Sequence, residues 1–271
     1  MVLEICCFNL PSCTIAVQAG ADRIELCADH AEGGTTPSYG TIRLAREVTR
    51  GTPLAREVTR GTPLAREATR GTPLAREATR GTRLYPIIRP RGGDFLYSRD
   101  EYDLMALDIE TCKELGCDGV VIGGLTPEGH IDKENCARLV KAAGPMGVTF
   151  HRAFDRAVDP LKALEDIIDI GCERILTSGG RPTAAEGAPL LKQLVDAAAD
   201  RIHLMVGGGV RAENIVALQR KTGAMEFHSA ALAIIPSRMQ FVSPAMQEHL
   251  TSVAVNSGEV RQMRLLLDQQ T

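Results

Sequence analysis

The sequence predicts a (β/α)8 barrel, and three observations lead to this fold class. Eight short apolar segments typical of buried strands recur along the chain, and amphipathic segments lie between them. Several amphipathic segments end in a glycine-containing turn before the next strand, as helices commonly do. Eight strands alternating with helices match the barrel, whereas the alternative, a doubly wound open sheet, requires no fixed number of strands. We therefore expect one domain over residues 1–271.

The predicted strands and helices follow one another in a regular order. The strands are VLEICC (2–7), RIELCA (23–28), LYPIIRPR (84–91), GVVIGG (119–124), VTFHRAF (148–154), RILTSG (174–179), IHLMVGG (202–208) and MEFHSA (225–230). The amphipathic segments between them include 102–115, 133–143, 161–170 and 189–199. Each strand segment is short and apolar, as the strands of a buried parallel sheet are.

A tandem repeat interrupts this order between the second helix and the third strand. LAREVTRGTP occupies residues 44–53, recurs at 54–63, and follows with Ala for Val at 64–73 and, ending in Arg, at 74–83. So short a unit cannot bury a face as a solenoid repeat does. Its Thr, Pro and Gly stand where a two-turn helix has its cap, first turn and stop. We expect a functionally neutral expansion that protrudes from the N-terminal face as short helices or a mobile loop, rather than a repeat with its own function.

The composition indicates a cytoplasmic globular protein and excludes several partners. The 31 basic and 34 acidic side chains give a formal charge of −3, so nucleic acid is not an expected partner. No apolar run reaches the ~18 residues of a membrane helix, and the chain does not begin like a signal peptide. The eight cysteines lack the density of a secreted disulfide scaffold, so we expect free thiols in a reducing compartment.

Alternation along the predicted strands turns an unusual number of charged side chains toward the barrel axis. In the first strand Leu3 and Ile5 face the helices, so their neighbours face inward. The same alternation on the other strands gives an inward set of Glu4, Arg23, Glu25, Arg89, Arg91, His151, His203, Glu226 and His228. An ordinary barrel is filled with Val, Ile and Leu, and buried charges are costly unless they are paired.

Two interpretations of this inward set stay open. It is either an ionic core whose charges satisfy one another, or a site at the C-terminal mouth where side chains act as acid and base on a small anionic, for instance phosphorylated, substrate. For the second interpretation the candidate catalytic residues are Glu25, His151, Glu226 and His228. The candidate anion-binding residues are Arg89, Arg91, Asp94, Gly207, Gly208 and Gly209. The glycines are included because barrel enzymes often bind phosphate on backbone N–H groups of their last loops.

Two cysteines form a separate candidate site. Cys6 and Cys27 share the inward direction near the ends of adjacent strands, so we expect their sulfurs to approach each other. Two thiolates suit the soft ion Cu(I), although two small buried thiols are the commoner arrangement. The sequence contains neither a CxxC pair nor an HExxH helix, so it gives no strong zinc signal.

Nine segments in order along the chain carry a resemblance to a known family. They are LEIC (3–6), AGADRIELC (19–27), EGGTTPSYG (32–40), IIRPRGGDFLYS (87–98), DGVVIGGLTPEGHID (118–132), TFHRAFD (149–155), RILTSGG (174–180), GGGV (207–210) and EFHSA (226–230). They resemble the CutC family of copper homeostasis proteins. The resemblance implies a barrel, a cytoplasmic location, self-association as a homodimer or higher homo-oligomer, and a Cu(I) site on the cysteines corresponding to Cys6 and Cys27. We therefore expect a copper-binding protein, with the barrel enzyme as the alternative.

Overall fold

A barrel of eight parallel strands forms the frame of the computed structural model, which describes residues 1–51, 81–246 and 250–270. The strands are β1 (Val2–Cys7), β2 (Arg23–Leu26), β3 (Arg83–Pro86), β4 (Gly119–Ile122), β5 (Gly147–Phe150), β6 (Arg174–Thr177), β7 (His203–Val206) and β8 (Glu226–Ser229). Their order in the sheet is β3, β2, β1, β8, β7, β6, β5 and β4. A parallel bridge between Ile87 and Val121 joins the two ends. The predicted (β/α)8 barrel is confirmed.

Helices follow the strands in alternation. They are α1 (Leu10–Gln18), α2 (Tyr39–Arg50), α3 (Arg99–Glu114), α4 (Lys133–Ala143), α5 (Pro160–Asp169), α6 (Ala184–Ala198), α7 (Ile215–Thr222) and α8 (Ser257–Asp268). Most begin at a side-chain cap, as α3 does with a capping box between Ser98 and Glu101. Within the described ranges, no helix combines the length and apolar character needed to cross a membrane.

An antiparallel ribbon that the sequence analysis did not predict lies between the last barrel strand and the last helix. It consists of β9 (Leu232–Ile235) and β10 (Ser252–Val255), which pair with each other and not with the barrel. The segment between them exposes Met239 and Phe241 to solvent. The ribbon follows β8 directly, so its first residues stand beside the C-terminal end of the barrel.

Alternate residues of the strands belong to two separate packing layers. Leu3 and Ile5 of β1 belong to the large core between the strands and the helices, and Ile24 of β2 belongs to the same core. The opposite side chains point into the barrel, where Cys6 and Tyr85 belong to a small apolar cluster. The rest of the interior is largely polar, as the alternation of charged residues predicts.

Two buried arginines are held by carboxylates at the N-terminal end of this interior. Arg23 donates to Glu4, and its Nη2 lies 2.6 Å from Glu226 Oε2. Arg174 donates to the same Glu226 carboxylate. Arg23, Arg174 and Glu226 are each the first residue of a strand, which sets the depth of this ionic layer. The free-energy cost of burying these charges is offset by charge-assisted hydrogen bonds in which cation and anion alternate.

The repeat leaves and rejoins the barrel at neighbouring points. Its first unit completes α2, which ends at Gly51 with a φ of 67°, as the glycine stop predicts. The chain returns beside the last turn of α2, since a Cβ added at Gly81 would lie 3.4 Å from the Thr49 carbonyl oxygen. Arg83 then begins β3, so both ends lie on the N-terminal side of the barrel. The expected short helices or loop fall on residues 52–80, outside the described part of the chain.

Deleting residues 53–82 removes three repeat units and tests whether the expansion matters to the barrel. We expect the shortened chain to fold with little change in melting temperature. In it Gly51 and Thr52 precede Arg83, as Gly81 and Thr82 do in the full chain, so the sequence at the start of β3 is preserved. Loop length itself changes stability by only about 0.6 kcal/mol per doubling. Thermal melting followed by circular dichroism measures this. A large drop in melting temperature, or insolubility, would show that the repeat packs on the barrel or mediates assembly.

Replacing Glu226 by Gln is expected to destabilise the fold strongly, because two buried guanidinium groups lose their shared carboxylate. Removing one partner of a buried ion pair typically costs about 3–5 kcal/mol. Lys192→Ala is the control, since it breaks an exposed pair with Asp196 and should cost less than about 1 kcal/mol. Urea denaturation measures both free energies of unfolding. Similar small losses in the two variants would show that the ionic layer stabilises no more than a surface pair.

Candidate functional site

A cavity of about 290 Å³ lies at the C-terminal ends of the barrel strands. Strand ends and the loops that follow them form its walls. Its volume is close to that of a small-molecule site. It brings together seven of the predicted site residues: Cys6, Glu25, Arg89, His151, Gly208, Gly209 and His228. These residues come from six different strands or the loops after them, so only the folded barrel assembles the group.

The structure separates Glu226 and Gly207 from this cavity. Glu226 begins β8 and belongs to the ionic layer, so it is not available as an acid or base at the mouth. Gly207 donates its N–H to the carbonyl of Thr177. A Cβ at Gly207 would lie 2.5 Å from Leu176 Cδ1, so this glycine allows close packing of β6 and β7 rather than ligand binding.

Arg91 and Asp94 also lie outside the cavity. They form an ion pair of 3.0 Å on the loop after β3, and their side chains are 41% and 70% exposed. Arg91 pairs in addition with Glu101 at 2.6 Å. Because β3 ends at Pro86, the strand alternation that turned Arg91 inward no longer applies at its position.

A thiol pair and an imidazole–carboxylate group meet at one side of the cavity. The Sγ atoms of Cys6 and Cys27 are 3.6 Å apart, and both side chains are buried. His228 Nδ1 lies 2.7 Å from Glu4 Oε1, and its Nε2 lies 3.7 Å from Glu25 Oε2. Ligand atoms of Cys6, Glu25 and Cys27 all lie within 4.8 Å of one another, which is close enough to share a metal ion.

Hydrogen bonds within this group distribute charge unequally between the two thiols. The hydrogen bond from Cys27 lowers the pKa of Cys6 to about 6, with a smaller contribution from His228. Burial raises the pKa of Cys27 well above its usual range. Burial alone would lower the pKa of His228, but hydrogen bonds to Cys6 and Glu4 raise it. A Cys6 thiolate facing a protonated His228 is therefore the favoured arrangement of charge.

His151 and Arg89 carry hydrogen-bond donors that lack acceptors. The His151 Nδ1 atom accepts the N–H of Ala153, which assigns the ring proton to Nε2, and Nε2 has no partner among the described residues. Burial, assisted by Arg89, lowers the pKa of His151 to about 3 and keeps the ring neutral. Arg89 donates to three backbone carbonyls, and no described carboxylate pairs with it.

Two further arginines reach the cavity from loops. Asp155 accepts a hydrogen bond from Arg152 Nε at 2.7 Å and others from Ser178 on the next loop, so it fixes Arg152 at the cavity. Arg211 follows the glycine loop after β7, is half-buried, and also lines the cavity.

Three further arginines of the interior were not predicted from the sequence: Arg152, Arg174 and Arg211. Arg174 could have been predicted, because Ile175 faces the helices and the alternation of the sixth strand therefore turns Arg174 inward. Arg152 and Arg211 stand after the strands end, where alternation gives no direction.

His151 gives the folded state a measurable pH dependence. Its pKa is about 3 in the folded protein against 6.5 as the ordinary value, so the unfolded chain takes up this proton first as the pH falls. The neutral ring therefore costs no stability above pH 6.5. Below it the folded state loses about 1.4 kcal/mol per pH unit until the folded pKa is reached. His151→Asn removes this loss while keeping an acceptor for the Ala153 N–H.

Urea denaturation at pH 7 and pH 5 measures this effect. Between these values we expect the free energy of unfolding of His151→Asn to fall by about 2 kcal/mol less than that of the unmodified protein. His203→Asn is the control, because it removes one imidazole from an exposed position at the start of β7. Equal changes in the two variants would contradict the assignment to His151.

Comparisons with known proteins agree with one another. A family model described as the CutC family matches residues 1–60 and 67–233. A CutC family protein of Chromobacterium violaceum is 41% identical in an alignment of 273 positions that covers 98% of each chain. Another from Bacteroides thetaiotaomicron is 46% identical over 238 residues, 88% of this chain and 84% of its own.

Solved structures extend the comparison to the fold. Thiamine phosphate pyrophosphorylase of Pyrococcus furiosus has a TM-score of 0.53 at 14% identity, covers 99% of this chain and 96% of its own, and shares the fold alone. The crystal structure of CutC from Streptococcus agalactiae has a TM-score of 0.72 at 33% identity and covers 85% of this chain and 98% of its own. The family match over most of the chain, the identity of the relatives and this structural likeness show that the chain belongs to the CutC family.

Proposed function

We propose that this protein binds Cu(I) through the thiolates of Cys6 and Cys27 and acts in copper homeostasis. The observation that carries the proposal is the pair of buried sulfur atoms 3.6 Å apart at the cavity. Soft thiolate ligands select Cu(I) over harder divalent ions. The separation is within the span of two metal–sulfur bonds of about 2.3 Å each, so an ion can contact both sulfurs.

The surroundings of the thiol pair support the same ligand. His228 hydrogen-bonds to Cys6 and favours its thiolate, the form that binds metal. Glu25 lies within reach of both sulfurs, but its hard oxygen atoms suit Cu(I) poorly. The two sulfurs are therefore the ligands on which Cu(I) affinity depends, and His228 acts on the protonation of Cys6.

The relatives and the surface support the wider setting of the proposal. The relative from Streptococcus agalactiae is named for copper homeostasis. All eight cysteines are free and buried, which agrees with a reducing cytoplasm. Self-association as a homodimer or higher homo-oligomer also stays part of the proposal. The exposed apolar side chains of Ile234, Met239 and Phe241, on and after β9, offer a surface for a second copy.

We do not favour the alternative of a barrel enzyme. Of its four candidate acid–base residues, Glu226 is committed to the ionic layer and His228 is hydrogen-bonded to Glu4. Glu25 and His151 both line the cavity, but no described contact assigns either of them a proton to move. The anion-binding part of that alternative has better support, because Arg89 and Arg211 line the cavity.

A matched pair of double variants tests the copper proposal. We expect Cys6→Ser with Cys27→Ser to abolish stoichiometric Cu(I) binding, because oxygen is a poor ligand for a soft ion. Cys112→Ser with Cys117→Ser is the control, since it removes two other buried thiols that lie outside the cavity. Competition with a Cu(I) chelator under anaerobic conditions measures both, with circular dichroism to check folding. Undiminished binding in the first variant, or an equal loss in the control, would rule out these sulfurs as the site.

A further inference from the structure

Two guanidinium groups that pair with no described carboxylate line the same cavity as Cys6. Arg89 is 5% exposed, and its hydrogen bonds go to the backbone carbonyls of Glu32, Gly34 and Gly93. Carbonyl groups orient the guanidinium but do not neutralise its charge. Arg211 likewise forms no ion pair with any residue that the structure describes. The cavity therefore holds two positive charges that no described carboxylate compensates.

Buried donors without acceptors accompany these charges. His151 is 3% exposed, and its Nε2–H finds no acceptor within the described ranges although the residue lines the cavity. The Nε of Arg89 is a second buried donor of this kind. Leaving a buried donor unpaired costs stability, so each of these groups indicates an acceptor that the described residues do not supply.

The glycine loop after β7 adds backbone donors to the same wall. Gly208 and Gly209 have φ values of 95° and 74°, and both line the cavity together with Val210. No hydrogen bond runs from the N–H groups of these three residues to the described part of the chain. Successive N–H groups in such turns form concave sites for anions.

We propose that this cavity binds the phosphate group of a small phosphorylated molecule. Arg89 and Arg211 supply the charge, and the His151 Nε2–H and the N–H groups of 208–210 supply neutral donors. Two uncompensated guanidinium groups match the charge of about −1.5 to −2 on a phosphate monoester, whereas a carboxylate carries a single charge. The carboxyl group of Glu25 faces His228 and not these arginines. This inference does not depend on copper binding.

Titration with inorganic phosphate at fixed ionic strength tests the proposal, using isothermal calorimetry on the full chain. We expect saturable binding that Arg211→Gln weakens by about tenfold or more, as loss of a hydrogen bond to a charged group does. Arg43→Gln is the control, because it removes one exposed arginine of α2. Acetate is expected to bind more weakly than phosphate. No saturable phosphate binding, or equal weakening in both variants, would overturn the proposal.

A nuclear magnetic resonance measurement on the unmodified protein tests the same site without any substitution. We expect added phosphate to shift the ¹⁵N resonance of His151 Nε2, and an unchanged resonance at saturating phosphate would contradict the assigned donor. The Cu(I) chelator competition on Arg211→Gln separates the two proposals. Retained copper binding with weakened phosphate binding shows two independent functions, while loss of copper binding in this variant would contradict that independence.

Discussion

The guanidinium of Arg23 is the buried charge on which the barrel interior depends. A guanidinium stays protonated at any physiological pH, so its charge has to be compensated inside the protein. Glu4 of β1 and Glu226 of β8 compensate this charge. Glu226 also pairs with Arg174. The strand register makes the contact possible, because Glu4 stands opposite Arg23 in the β1 and β2 ladder.

Glu4 connects this ionic layer to the thiol pair. Its carboxylate accepts from Arg23 on one side and contacts His228 on the other. Burial opposes the ionised form, yet these two cations lower the pKa of Glu4 to about 2. The fixed anion in turn favours protonated His228, which faces Cys6. The state of the thiol is therefore set partly by an ion pair one layer below it.

The inward-facing charged residues lie at two different depths of the same barrel. Arg174 and Glu226 satisfy each other at the N-terminal end, as an ionic core does. Glu25, Arg89 and His151 line the cavity at the other end. Alternation along a strand gives the face of each side chain but not its depth. Depth follows from the offset between neighbouring strands, which places Glu226 opposite Val2 and could not be read from the sequence.

Strand positions and side-chain directions could be predicted from the sequence where backbone periodicity determines them, and not where the chain leaves a strand. The sequence predicted all eight barrel strands, and for β1 the bounds as well. The prediction failed for Arg91 because β3 ends before that position, and the loop then turns its side chain to Asp94 and Glu101. The β9 and β10 ribbon was missed because its two short strands pair only with each other across a long intervening segment.

Burial has different effects on the imidazole of His151 and the guanidinium of Arg89, which both line the cavity. It makes the ring of His151 neutral, because an imidazole can release its proton. It cannot do the same to Arg89, because a guanidinium does not release its proton in proteins. The result is a neutral N–H donor beside a cation. The phosphate ligand proposed above is therefore recognised by one hydrogen-bond donor without charge and one group that carries charge.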